Sequence, residues 1–247
     1  MSNLEICCDS VQSAIAAAAG GAQRVELCAN LLEGGTTPSS GLLTACRQAI
    51  SIDLHVLIRP RGGDFCYDEA ELDVMRHDIV YAKQHGVEGV VLGMLRPDGT
   101  VDCHGMRELI ALARPLRVTF HRAFDMASNP TAALEDVVSL GADYLLTSGQ
   151  QVTAFAGREL IRELVQQAAG RIAIMPGAGV NEENILELAA VTGAREFHSS
   201  GRRQLPSRML FQRNQVTMGA WQAGEFSYAF VDEQRVRRMI TLLSTVD

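Results

Sequence analysis

The strongest constraint on the fold is a repeated local pattern: short apolar, β-branched runs alternate with longer helical stretches, eight times within 247 residues. Strands are expected at Leu4 to Cys8, Arg24 to Cys28, Leu54 to Arg59, Gly89 to Leu92, Arg117 to His121, Tyr144 to Thr147, Ile172 to Met175 and Glu196 to Ser199. Helical periodicity covers Glu69 to His85, Cys103 to Ala113, Pro130 to Leu140, Gly157 to Ala168 and Asp232 to Ser244. The punctuation agrees: Asn129 caps a helix opening on Pro130, Asn181 precedes Glu182 and Glu183, and Gly20, Gly86, Gly141 and Gly170 follow helix ends. Eight such units predict an α/β fold, a single (β/α)8 TIM barrel taking residues 1–247 as one domain. A doubly wound sheet is disfavoured, because Cys8-Asp9-Ser10 stands where a Gly-rich turn would follow its first strand.

One connection breaks the rhythm. Residues Gly201 to Phe230 show no clear element and carry Arg202, Arg203, Arg208, Arg213, the single Trp221 and one acid, Glu225. A long basic loop after strand eight would lie over the C-terminal mouth of the barrel, where this fold keeps its sites.

Composition narrows the partners. With 22 basic and 29 acidic residues the net charge is −7, which argues against nucleic acid or an anionic membrane as partner. The N-terminal region is acidic and its apolar run Ala14 to Ala19 is far too short to span a bilayer, so a cytoplasmic protein with reduced thiols is expected. All six cysteines lie within the first 103 residues, with no C-x-x-C pair and no zinc-ligand spacing. The only lysine, Lys83, falls mid-helix on the outer layer, which excludes an aldolase mechanism through a lumenal Schiff base.

Side chains alternate across a strand, so phase decides what points into the barrel. Val25 and Leu27 suit the helix layer, which turns Glu26 and Cys28 inward; the same logic turns Glu5 and Cys7 inward on strand one. His55 and Arg59, Thr119 and His121, and His198 follow on strands three, five and eight. Buried carboxylates need cationic or hydrogen-bonding partners, and Arg59, His55 and His121 are the candidates. Two readings stay open: a structural charge cluster, or a working site in which Glu5, Glu26 or His121 moves protons. Cys7 and Cys28, on neighbouring strands, would suit monovalent copper, or pack as small hydrophobes. A hydrolytic metal site on His55, His121 and His198 has weak support, since no two share a ligand spacing.

The mouth adds an anion motif: Arg59-Pro60-Arg61-Gly62-Gly63-Asp64, Pro176-Gly177-Ala178-Gly179-Val180 and Ser199-Ser200-Gly201-Arg202. Arg59, Arg61, Gly177, Gly179, Ser199 and Ser200 are thus candidates for holding a small anionic or phosphorylated substrate, with ordinary turn chemistry as the alternative.

Several stretches resemble the CutC family: Leu4-Glu5-Ile6-Cys7, Arg24-Val25-Glu26-Leu27-Cys28, Glu33 through Ser39 (EGGTTPS), Ile58 through Phe65 (IRPRGGDF), Val118 through Asp125 (VTFHRAFD), Leu146-Thr147-Ser148-Gly149 and Glu196-Phe197-His198. The match runs from the first strand to about Ser199 and reappears in the last helix; after Ser200 the stretch Gly201 through Pro206 is more basic than in familiar members. The resemblance implies a cytoplasmic, homodimeric TIM barrel with a part in copper homeostasis, binding copper(I) through the residues here numbered Cys7 and Cys28. It implies no nucleotide or organic cofactor and no established reaction, so an enzyme acting on a small anion remains the alternative. A non-catalytic interaction protein using Gly201 to Phe230 is a third reading.

Overall fold

The computed structural model describes residues 2–213, 215–216 and 225–246. Eight parallel strands form the sheet: β1 (Asn3–Cys8), β2 (Arg24–Leu27), β3 (Asp53–Leu57), β4 (Gly89–Leu92), β5 (Arg117–Phe120), β6 (Tyr144–Thr147), β7 (Ala173–Pro176) and β8 (Glu196–Ser199). They run in the order β7-β6-β5-β4-β3-β2-β1-β8, which nearly closes the barrel expected from the sequence. The surrounding helices are α1 (Val11–Ala19), α2 (Ser40–Ala49), α3 (Glu69–Gln84), α4 (Cys103–Ala113), α5 (Pro130–Ser139), α6 (Arg158–Ala168), α7 (Ile185–Thr192) and α8 (Glu233–Leu243). No helix of the described residues is long and apolar enough to cross a membrane.

Local chemistry explains the boundaries. Asp68 accepts from the Glu71 amide while the Glu71 carboxylate accepts from the Asp68 amide, a reciprocal cap that starts α3. Asn129 accepts from Ala132 N ahead of Pro130, as expected. The helix expected to begin at Asn181 instead begins at Ile185: Asn184 Oδ1 accepts from Asn181 N and Asn181 Oδ1 from Glu183 N, so the two asparagines tie a turn before α7. Lys83 lies outside the barrel, its Nζ on the carbonyls of Leu112 and Arg114 beyond α4.

The segment expected to lack elements is corrected at both ends. Strands β9 (Arg202–Pro206) and β10 (Ser227–Val231) pair antiparallel as a separate two-stranded ribbon. Most of its residues remain partly exposed, so no apolar alternation marked the strands. Trp221 lies outside the described residues.

Two environments fill the interior. The large apolar core lies between sheet and helices, built on residues such as Ile6, Leu27, Phe120 and Phe197. Inside the barrel, among the described residues, the apolar side chains form two small groups, Cys7 with Cys28, Leu57 and Val91, and Tyr144 with Leu146 and Met175. The rest is polar. Glu5 is fully buried, and Arg24 Nε donates to its Oε2 at 2.5 Å while Arg24 Nη2 donates to Glu196 at 3.0 Å. The Arg24 guanidinium also lies over the Tyr144 ring, 4.4 Å from its centroid. The partners expected for Glu5 are thereby corrected in part: Arg59 and His121 do not reach it, His55 Nδ1 stands 3.8 Å away, and Arg24 supplies the charge.

Removing one member of a buried ion cluster leaves an uncompensated charge. Arg24→Ala is therefore expected to lower stability by about 3–5 kcal/mol, measured by urea unfolding at pH 7. Restoring part of that loss with Glu5→Gln in the same chain would attribute it to the stranded carboxylate; a loss below about 1 kcal/mol would refute the assignment.

Candidate functional site

A cavity of about 400 Å³ opens at the C-terminal mouth. Its floor is made by Cys7, Glu26, Leu57 and His198, and its walls include Arg59, Phe65, His121, Arg122, Asp125, Gly179, Ser199 and Ser200. Strand phase accounts for Cys7, Glu26, Leu57, Arg59, His121 and His198, while Phe65, Arg122, Asp125, Gly179 and Ser200 come from the loops; Cys28, Arg59 and His121 sit just beyond their strands. There the ladder continues for a step, with Cys28 N donating to Cys8 O at 2.9 Å and His121 N to Leu92 O at 3.1 Å.

On the floor, the register sets Cys7 opposite Glu26. The Cys7 thiol donates to Glu26 Oε1 at 3.7 Å, and its sulfur lies 3.5 Å from Cys28 Sγ. Cys28 is fully buried behind Cys7. His198 Nδ1 is 2.8 Å from Glu5 Oε1 and 3.9 Å from Glu26 Oε2. Ligand atoms of Cys7, Glu26 and His198 fall within 4.8 Å of one another, a set able to surround one ion. Gly177 leaves room for this arrangement, since a Cβ there would fall 2.5 Å from Leu146 Cδ1 and 3.3 Å from His198 Cβ.

Charge on the floor is shared unevenly. Burial pushes the Glu26 carboxyl up to about 7, with His198 pulling the other way. Burial also opposes ionisation of Glu5, but Arg24 and then His198 outweigh it and hold that carboxyl well below the usual range. Burial disfavours the His198 imidazolium, yet the charges and hydrogen bonds of Glu26, Cys7 and Glu5 keep it protonated well above the ordinary histidine value. The Cys7 thiol is held high by its hydrogen bond with Cys28, by burial and by the nearby Glu26 carboxylate.

The walls depart further from expectation. Arg59 lines the cavity but acts as a fastener: Nη1 donates to the carbonyls of Glu33 and Gly35, both at 2.7 Å, and Nη2 to Gly63 O at 2.8 Å. Arg61 turns away from the cavity, engaged by Glu71, Asp64 and the Cys66 carbonyl. Gly177 N donates to Thr147 O at 2.9 Å, so that amide belongs to the sheet. Ser199 Oγ donates to Val180 O at 2.6 Å and ties β8 to the loop after β7. Gly179 and Ser200 do line the cavity.

Three residues that organise the site, Arg24, Glu196 and Asp125, are absent from the candidates the sequence offered. Arg24 and Glu196 share the inward phase of Glu26 and His198, two positions along, so period-two spacing contained the signal. Asp125 accepts from Thr147 Oγ1 at 2.5 Å, Ser148 N at 3.0 Å, and Arg122 Nε at 2.7 Å. That convergence joins the loops after β5 and β6, and spacing along one strand cannot show it.

Two histidines are buried and neutral. Burial lowers His55 to about 4, against the pull of Glu5, and burial with the Arg59 charge lowers His121 to about 3. Their folded-state values lie below that of an exposed histidine, so the stability they confer is complete above about pH 6.5 and is lost as pH falls toward 4 and 3. His121→Asn is expected to flatten the decline of the urea midpoint between pH 6.5 and 4; an unchanged slope would contradict a buried, uncharged His121.

The CutC family profile matches residues 2–203. A CutC family protein from Chromobacterium violaceum is 51% identical over 236 residues, 96% of each chain. The copper homeostasis protein cutC homolog of Mus musculus is 47% identical over 98% of this chain and 90% of its own length. A solved CutC structure from Streptococcus agalactiae is 33% identical, covers 81% of this chain and 99% of its own, and superposes with a TM-score of 0.78. The resemblance in the strand motifs thus extends to the whole barrel, and the chain belongs to the CutC family.

Proposed function

We propose that this protein binds copper(I) at the floor of the barrel mouth through Cys7 and Cys28, in the service of copper homeostasis. The observation that carries the reading is the pair of sulfurs 3.5 Å apart beneath an open cavity. Metal–sulfur bonds of about 2.3 Å place two sulfurs about 3.8 Å apart at a tetrahedral angle and about 4.6 Å apart in line, so the thiols need to separate by no more than about an ångström. Soft sulfur donors select monovalent copper over harder ions. Glu26 Oε2 is buried without a hydrogen-bond partner among the described residues, which leaves a carboxylate oxygen free beside the pair.

The surrounding charges suit such a cargo. The ligands must lose their protons on binding, and the cationic His198 beside Cys7 favours the thiolate that results. Uptake therefore releases protons, and affinity rises with pH. A reducing cytoplasmic setting belongs to the same reading, supported by six cysteines that all carry free thiols. So does a homodimer, for which the exposed Met209, Leu210 and Phe211 beyond β9 offer apolar surface.

Anaerobic titration of copper(I) against a competing chelator tests the assignment. The wild-type chain is expected to take up one equivalent, more tightly at pH 8 than at pH 6. A Cys7→Ser, Cys28→Ser double variant is expected to take up none while keeping its circular dichroism spectrum. Unchanged uptake by the double variant would overturn the proposal.

A further inference from the structure

A metal ion on two sulfurs occupies only the floor of the cavity. The space above it, about 400 Å³, is more than ten times the roughly 30 Å³ that a water molecule takes in the liquid. It also lies within the range of small-molecule sites, roughly 300–1,000 Å³. Its walls are polar in a particular order, with hydrogen-bond donors at the rim and unpartnered polar atoms on residues deeper down.

At the rim, Arg122 is held in place from behind. Its Nε donates to Asp125 Oδ2 at 2.7 Å and its Nη2 to Ser148 Oγ at 3.1 Å, which leaves Nη1 without a partner among the described residues. Asp125 is itself fixed by Thr147 and Ser148, so the guanidinium is oriented before any ligand arrives. Next to it run the loops after β7 and β8. Ala178 and Gly179 both have left-handed backbone, with φ of 78° and 73°. For an alanine this conformation is strained, and such strain persists where the surroundings impose it, often at ligand sites. The amide N–H groups of Ala178, Gly179 and Ser200 find no acceptor among the described residues, and all three residues line the cavity. Barrels of this kind characteristically take phosphate at the loops after strands seven and eight.

Deeper in, two side chains that are 95% buried carry unpartnered polar atoms, Glu26 Oε2 and His121 Nε2. His121 Nδ1 accepts from Ala123 N at 3.2 Å, which places the proton of the neutral ring on Nε2 and makes that atom a donor. Glu26 lines the same depth of the cavity and offers a carboxylate oxygen that has no hydrogen-bond partner among the described residues. Of the acids lining the cavity near the rim, Glu33 stands across the barrel from β6 and β7, and Asp125 pairs with Arg122 Nε, which leaves Arg122 Nη1 without a partner among the described residues.

We propose that the mouth cavity binds a small phosphate ester of a polyol or hydroxy-carbonyl compound. The phosphate is taken by Arg122 and the Gly179 and Ser200 amides, and the oxygen-bearing end reaches Glu26 and His121. This goes beyond copper binding and does not depend on it, because none of the five contacts is a sulfur.

Calorimetric titration of the metal-free chain tests it, using inorganic phosphate, glycerol 3-phosphate and ribose 5-phosphate, with glycerol, ribose and glycerate as controls. At least one ester is expected to bind ten-fold or more tightly than inorganic phosphate, glycerate and the parent alcohols. Arg122→Gln is expected to weaken that ester at least ten-fold with copper(I) uptake unchanged. His121→Asn is expected to reduce the ester's advantage over inorganic phosphate while inorganic phosphate itself binds as before. No heat with any ester, glycerate binding as tightly as the esters, or ester binding indifferent to Arg122→Gln would each overturn the proposal. Loss of copper uptake in the cysteine variants bears only on the floor site, so the two readings fail separately.

Discussion

The barrel interior is organised around one carboxylate that cannot reach water. Glu5 has no exposed surface, and an isolated charge there would cost several kcal/mol. Arg24 answers it from the neighbouring strand and His198 from the other side, since β1 pairs with both β2 and β8. Once Glu5 holds His198 as a cation, His198 stands beside Glu26, and Glu26 receives the Cys7 thiol. The floor of the site is therefore positioned by successive charge neutralisation more than by apolar packing. Among the described residues, two small apolar clusters share the lumen with it.

Above that floor the loops are fastened by polar side chains that never need to touch a ligand. Arg59 gathers the carbonyls of the loops after β2 and β3, and Asp125 gathers donors from the loops after β5 and β6. Ser199 performs the same task between β7 and β8. Each satisfies buried backbone or side-chain groups that would otherwise be costly, and together they give the mouth a preformed shape. At the rim, Arg122 Nη1 and the amides of Ala178, Gly179 and Ser200 have no acceptor among the described residues, and these residues are held by the fasteners or adjoin them.

The parts of this arrangement that were legible in the sequence follow from period two. Alternation alone placed Glu5, Cys7, Glu26, His55, His121 and His198 on the inner face. It also contained Arg24 and Glu196, which fell at strand starts and lacked an obvious role until their partners were seen. Arg59 and Arg61 looked equivalent as basic residues in one Gly-rich turn, yet one reaches inward to carbonyls and the other outward to Glu71. Nothing in their spacing separates them, because a turn has no fixed side-chain period. The β9–β10 ribbon was illegible for a different reason: its strands pair with each other apart from the barrel sheet and most of their residues stay partly exposed, so no alternation of buried and exposed positions marks them.

The sequence by itself determined the barrel and the inward-facing set, because strand and helix periods are local properties that each segment carries within its own residues. It also settled that the lone lysine lies outside the lumen. Only the tertiary structure decided which buried charge answers which, that Cys7 and Cys28 stand 3.5 Å apart, and which groups each arginine at the mouth engages. Those outcomes depend on barrel register and on loops meeting from strands far apart in the chain. Pairing energies of that kind are set by distance in space, which a linear pattern does not encode.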